Sequence, residues 1–409
     1  MKDHKNRGGK VFAAFFLLFV LGFSGANLIL NGAEVWNDIR NIPWTWSESV
    51  QQLQEVETTL NEDLLFREPM IDAYGVLQMA MGKHEENGFD KVKDKNGFLH
   101  SGSFWSGFGD DTKELAVRTA RLQEQVEARD GQFGFIMFPM NLPQEDAKYY
   151  GIPYNDFSKI SDTFCAWAHY YGIPLLDLQD SWTEHGLKQE EAFFRTDHHW
   201  TPMAAFYGYC DILEWMEDTF GAEILDRDRL SNLDSYHQVT YENLMFGAHG
   251  RETGSIFAGG TEPYTVIYPR EEGEYLLKTG EYDEYDTYEG TFSEALLYMD
   301  YDMNSYSDLY DGEAERTYLH NSVEAYSSII NKNAPSEKKI LLLRDSYATP
   351  IGAFLAQSFE QVDMLWTREY TEEELEMFVE DAKYDYVFVS LYPENISERF
   401  FPFGMDDES

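Results

Sequence analysis

Two cysteines in 409 residues, Cys165 and Cys210, exclude a disulfide framework and a cysteine-rich tetrahedral zinc site. Both lie in aromatic-rich, helix-like stretches and read as buried free thiols, with a single disulfide the alternative. Basic residues are scarce as well. Thirty-one Lys and Arg face 74 Asp and Glu, a net charge of -43 that repels nucleic acid and the anionic cytoplasmic leaflet. A nucleic-acid partner is therefore excluded, and the acidity reads as a solvated surface that favours solubility. Histidine is limited to 10 residues, and no internal repeat is visible. Apolar residues are plentiful, at 43% hydrophobic and 16% aromatic, so a substantial core can form. The length suits one elaborated α/β domain or two modest ones.

The amino terminus is the one place where positive charge gathers. Lys2, Lys5, Arg7 and Lys10 precede an uncharged run from Val11 to Leu30. That length predicts one transmembrane helix, with residues 1–10 cytoplasmic and the bulk of the chain outside, by the positive-inside bias. Ser24-Gly25-Ala26 also suits a cleavage site, so the run is an anchor or a signal peptide. The predicted location is the cell membrane, single-pass and facing outward, or secretion if the segment is cleaved.

Residues 31–60 read as a juxtamembrane connection. A 3.6-residue periodicity through Leu64, Leu65, Ile71, Tyr74 and Leu77 predicts a helix, and GFDKVKDKNGFLH a hairpin. From about residue 112, helices alternate with short apolar strands, the pattern of an α/β fold wound around a mainly parallel sheet. Five candidate strands stand out: FGFIMFPM, IPLLDL, KKILLLRDSY, VDMLWT and DYVFVSLY. The interval from about 230 to 335, rich in Gly, Tyr and acids, breaks the alternation. It reads as a loop-rich insertion within a domain spanning 61–409, elaborating the active-site face. Within it, Asp300, Asp302, Asn304 and Asp308 follow calcium-loop offsets. Ser305 and Asp311 replace the turn glycine and the closing glutamate, so a solvated acidic loop is the preferred reading.

Ser346 follows an apolar strand and precedes a helix, the position that lifts a hydroxyl above the carboxyl edge of a sheet. Asp345 before it resembles the Gly-Asp-Ser turn of SGNH hydrolases, with Arg344 where glycine is usual. Asp197, His198, His199 and Trp200 stand together before a helix opened by Thr201-Pro202. An aspartate can fix the tautomer of an imidazole whose other nitrogen removes a serine proton. Asp197 would orient, His199 would act as base, and Ser346 would attack. From the residues alone, helix capping, a metal site and satisfied core histidines remain open as rivals.

TDHHWT, residues 196–201, resembles the signature of the DHHW protein family. LLLRDSYATP resembles that family's strand-plus-Asp-Ser segment, and VDMLWTREYT, with Arg368, the strand that follows. NEDLLFREPMIDAYGVL resembles a helix entry shared with the alginate O-acetyltransferase proteins of the SGNH-like superfamily. The resemblance spans roughly residues 60 to 395 and implies an SGNH-hydrolase-like fold. It implies a triad of Asp197, His199 and Ser346, with the Asp-x-His element ahead of the serine. His198 is then expected to pack or contact substrate, and Asn333, Arg344 and Arg368 are candidate substrate or oxyanion contacts. Departures are Arg344 itself and the missing Gly-x-Asn-Asp block.

What the resemblance implies functionally is an extracytoplasmic O-acetyltransferase acting on a cell-surface glycan through an acyl-serine. An MBOAT-type membrane acyltransferase would deliver the acyl group, with neither metal nor organic cofactor required. A carbohydrate esterase, and a non-catalytic glycan-binding scaffold, are the alternatives.

Overall fold

The computed structural model describes residues 3–40, 64–104, 111–303, 305, 307–321, 323–381 and 383–405. Residues 41–60 of the expected juxtamembrane connection lie outside these. The chain divides into two units, Met1–Tyr74 and Gly75–Ser409. In the first, helix α1 (Asp3–Arg40) contains Gly9–Leu30, long and apolar enough to cross a membrane, with mean hydropathy 2.2. A signal sequence meets the same criterion. The predicted second helix is α2 (Arg67–Ala80), and the boundary between the units falls within it.

The second unit is organised by an eight-stranded sheet. Its strands are β1 (Gln132–Met137), β2 (Leu175–Asp177), β3 (Glu274–Gly280) and β4 (Tyr285–Thr291), with β5 (Tyr326–Asn331), β6 (Lys339–Arg344), β7 (Gln361–Trp366) and β8 (Tyr386–Leu391). The order across the sheet is β2-β1-β8-β6-β7-β5-β3-β4. Strands β2, β1, β8, β6 and β7 are parallel, and these are the five apolar runs singled out above. Strands β5, β3 and β4 add on antiparallel. The interval 230–335 therefore supplies much of the sheet as well as loops, including a separate ribbon of Tyr236–Met245 against Glu262–Pro269. The hairpin expected near residue 90 is Lys91–Lys93 paired with Leu99–Ser101.

Continuous apolar runs make central strands because both faces are covered. Along β6, Ile340 and Leu342 enter one core cluster while Leu341 and Leu343 enter the other. Helices α3 (Thr112–Glu127), α4 (Ser158–Tyr170) and α8 (Glu372–Asp381) cover the second face. The first face is covered by α5 (Pro202–Phe220) and α7 (Thr349–Leu355). Each fully buried Leu, Ile or Phe contributes about 1.5–3 kcal/mol, so these two layers dominate stability.

Helix α5 begins and ends as its sequence dictates. Thr201 accepts the Ala204 N–H at 3.2 Å, Pro202 occupies the first turn, and Gly221 closes the helix at φ 65°. The start of α5 is thereby fixed directly behind the Asp-His-His turn. Short α6 (Ala248–Thr253) lies between the two strands of the ribbon in sequence. At the far edge of the sheet, β4 carries Tyr285, Asp286, Thr287 and Glu289 on a mostly exposed strand. Cys165 and Cys210 are free thiols, each pushed up to about 12 by burial.

Gly134 in β1 lies beneath Trp215 of α5, where a Cβ would come within 2.4 Å of the indole ring. Gly134→Val should lower stability by about 1–3 kcal/mol through overpacking, read as a reduced Tm. An unchanged Tm would mean that α5 does not press on the sheet there.

Candidate active site

The loop before α5 is closed by a bridge between Phe193 and Trp200 and by Thr201 N–H donating to the Ala192 carbonyl at 2.8 Å. Thr196, Asp197 and His198 form its tip. The Glu262 carboxylate supports this tip from the ribbon, accepting the N–H groups of Arg195 and Thr196 at 2.8 Å each and the Thr196 hydroxyl at 2.6 Å. Burial pushes the Glu262 carboxyl up, against the pull of these donors.

Asp197 is wholly buried. Its Oδ1 accepts His199 N–H at 2.9 Å and lies 2.6 Å from His199 Nδ1, while Oδ2 accepts Ala248 N–H at 2.7 Å. Burial opposes its charge, yet the imidazoles of His198 and His199 and the hydrogen bond from His199 hold the carboxyl well below its usual range. For His199 the balance is the reverse. Burial disfavours the imidazolium, but Asp197 outweighs it and raises His199 above its ordinary value. With Nδ1 donating to Asp197, Nε2 is left as acceptor, 2.7 Å from Ser346 Oγ.

Ser346 opens a 3-10 turn, Ser346–Ala348, between β6 and α7. Asp345 fixes that turn, accepting Tyr347 N–H at 3.0 Å, Tyr392 N–H at 2.7 Å and Asn395 Nδ2–H at 2.8 Å. Burial raises the Asp345 carboxyl despite these donors. The Ser346 N–H has no acceptor among the described residues. Tyr347 ties the two motifs together: its hydroxyl donates to the His198 carbonyl, and its own carbonyl accepts Trp200 Nε1–H at 3.1 Å. Its ring stacks on Tyr392 at 4.7 Å and lies 4.9 Å from His199.

Asp197, His199 and Ser346 are thus brought into one hydrogen-bonded line, His198 lies beside it with Nδ1 3.4 Å from Asp197 Oδ1, and Asn333, Arg344 and Arg368 are placed elsewhere. His198 packs 4.0 Å from the His199 ring and faces a second, polar cavity shared with His249, Asn141 and Glu394. Burial first, then the charge of His199, push it well below its usual value. Arg344 is wholly buried, donating to the Glu324 carbonyl at 2.8 Å and lying 5.7 Å from the Trp366 ring. Burial lowers its guanidinium to about 10. Arg368 covers the same Trp366 ring at 3.8 Å and pairs with Glu369. Neither arginine lines the Ser346 cavity. Asn333 is exposed and accepts Glu274 N–H at the amino-end edge of the parallel strands. At ~3.3 Å per residue along β6, that edge is on the order of 17–20 Å from Ser346.

Several contributors escape a sequence reading: Glu262, Ala248, Tyr347 and Tyr392 act through contacts that involve the backbone, and Asn395 through its side chain on Asp345, none of which a local pattern announces. Gly247 leaves a faint trace, since a Cβ there would lie 2.4 Å from Asp197 Oδ2. Among the described residues, Asp197, His198 and His199 are the one group of three candidate metal ligands, with donor atoms within 4.8 Å. Both Asp197 oxygens already accept hydrogen bonds and His199 Nε2 meets Ser346, so the donor set is committed to the triad. Asp300, Asp302, Asp308 and Asp311 form no such group among the described residues, and Asn304 lies outside them.

Beside Ser346 and His199 is a cavity of about 60 Å³, walled by Phe194, Trp200, Met245, Tyr264, Ala314 and Tyr318, with Glu315 in its lining. Met245, Tyr264, Ala314, Glu315 and Tyr318 of this lining come from the interval 230–335.

Residues 110–230 match the family model described as an SGNH hydrolase-like domain, acetyltransferase AlgX. That stretch contains Asp197 and His199 and ends before Ser346. PatB1 from Bacillus cereus is similar in structure, with TM-score 0.58 and 18% identity over 76% of this chain and 99% of that chain. A DHHW family protein from Eubacterium siraeum is also similar, with TM-score 0.52 and 17% identity over 76% of this chain and 96% of that chain. At these identities the likeness to the solved structures is one of fold. No curated protein sequence matches the chain. The resemblance to SGNH-like acetyltransferases and the SGNH-like fold are both borne out.

Because Asp197 stabilises the His199 imidazolium, the neutral base accumulates only above the ordinary value of 6.5. Sulfonyl fluoride labelling of Ser346 should therefore rise with pH through an apparent pKa above 6.5. Asp197→Asn should lower that pKa and slow labelling by roughly a thousandfold or more. Gly247→Ala should slow labelling too, by displacing the carboxylate. A pH-independent rate, or a limb unmoved in Asp197→Asn, would sever His199 from Ser346.

Proposed function

We propose that this protein is a serine-dependent O-acyltransferase that moves an acetyl group onto hydroxyls of a cell-surface or exported polysaccharide, outside the cytoplasm. The observation that carries the reading is the line from Asp197 through His199 to Ser346, with separations of 2.6 and 2.7 Å, opening on an apolar cavity. The SGNH-like acetyltransferase match supports the class of chemistry. Helix α1 supports a membrane-anchored arrangement, with the basic first ten residues inside.

In the first step Ser346 Oγ attacks the acyl carbonyl of the donor as His199 Nε2 takes its proton. The carbonyl oxygen becomes an oxyanion, and the unpaired Ser346 N–H at the head of the turn is the nearest backbone donor from the nucleophile itself. Collapse expels the leaving group, which takes the proton from His199 and leaves an ester on Ser346. In the second step a sugar hydroxyl attacks that ester and gives its proton to His199. Ser346 leaves as the alkoxide and recovers the proton from His199, so the enzyme returns to its starting state. Asp197 stays ionised throughout and supports each imidazolium. By analogy with alginate acetylation, an MBOAT-type membrane acyltransferase would present the acyl donor.

Incubating the detergent-solubilised full chain with an acetyl ester and candidate glycans should give acetylated glycan faster than free acetate. Ser346→Ala should abolish both products, at a loss of roughly a thousandfold or more. Release to water alone would make the protein an esterase. Retained acylation by Ser346→Ala, or unchanged surface acetylation in a strain carrying it, would make it a scaffold.

A further inference from the structure

The cavity beside Ser346 has a chemical character that the triad does not explain. Its wall is apolar, and the polar tips of its aromatic residues are committed elsewhere. Tyr318 OH donates to the Ile267 carbonyl at 2.9 Å and accepts Ile267 N–H at 3.1 Å. Trp200 Nε1–H is bound to the Tyr347 carbonyl, and the Thr349 hydroxyl donates to the Ser346 carbonyl at 2.9 Å. Glu315 is the charged group of the lining, held by Arg251 at 2.7 Å. Arg251 also donates to the Phe246 carbonyl at 2.9 Å. A sugar entering this space would lose water from several hydroxyls and find few partners in return. An alkyl chain would lose nothing, and each buried methylene would favour binding by roughly fourfold. An acyl group carrying its own carboxylate would meet Glu315 with no uncommitted cation opposite.

Volume limits the chain. A benzene ring occupies an apolar cavity of about 150 Å³, and this one measures about 60 Å³. On the reading that Ser346 is acylated, we propose that the cavity is an acyl-binding site that gauges chain length. It admits uncharged acyl groups of about two to four carbons, and Met245, Tyr264, Ala314 and Tyr318 set the limit. All four lie in the interval 230–335, so the limit is built by the region that departs from the wound α/β pattern.

The test uses the detergent-solubilised full chain and 4-nitrophenyl esters from acetyl to octanoyl, with early formation of the Ser346 adduct followed by intact mass. Acetyl, propionyl and butyryl should acylate within about tenfold of one another, while octanoyl and succinyl should be at least a hundredfold slower. Met245→Ala should extend the limit by about two carbons, and Ala314→Leu should confine it to acetyl. If Met245→Ala fails to fold, the narrowing by Ala314→Leu decides. Adducts of every length at similar rates, or a profile unmoved in the folded variants, overturn the gauge while leaving the acyl-serine intact. Absence of any Ser346 adduct overturns the gauge and the transferase reading together.

Discussion

The buried carboxylate of Asp197 is the constraint on which the site depends. A lone carboxylate at zero exposure would cost several kcal/mol, and it persists only because both oxygens are satisfied. The donors come from two places: His199, two residues along, and Ala248, fifty-one residues away. The second requires the backbone to pass so close that residue 247 has no room for a side chain. Glu262 then holds the turn from the ribbon, so one buried anion rests on a second, half-buried carboxylate that grips the backbone beside it.

The same economy of contacts joins the two halves of the triad. His199 and Ser346 are 147 positions apart, yet Trp200 and Tyr347, their immediate successors, also meet. Tyr347 returns a hydrogen bond to His198 and packs on Tyr392 at the end of β8. Alignment of His199 with Ser346 is therefore a property of the sheet's carboxyl edge, where β6 and β8 end side by side. Rigid elements hold the reacting atoms, which suits chemistry that depends on sub-ångström placement.

Much of this was legible in the sequence. The five parallel strands announce themselves as unbroken apolar runs because both of their faces are buried, and Thr201-Pro202 marks the start of α5. Asp197, His199 and Ser346 follow from residue type, spacing and resemblance. Strands β3 and β4 were hidden because they mix Tyr with acidic residues, Thr and Gly, a composition that reads as loop. Arg344 illustrates the other failure: adjacency in sequence to Asp345 says nothing about direction, and its side chain is buried toward Glu324 and Trp366. Asn333 fails for a similar reason, since nearness to the serine strand placed it at the wrong end of that strand. The cavity wall was invisible because its residues are scattered from Phe194 to Tyr318 and converge only in the folded chain.

Strand β4 gives the acidic run at its position a use of its own. It is the last strand of an open sheet, with one side of its backbone unpaired to any further strand in the order. Such a border is a template on which another chain can add. Asp286 on the strand, with Asp283 and Glu284 just before it, lines that border with carboxylates, while Glu289 pairs with Lys332. A second copy arriving there would bring the same row of charges, on a molecule already at -43. The acidic run thus disfavours edge-to-edge joining of identical sheets by repulsion between like charges.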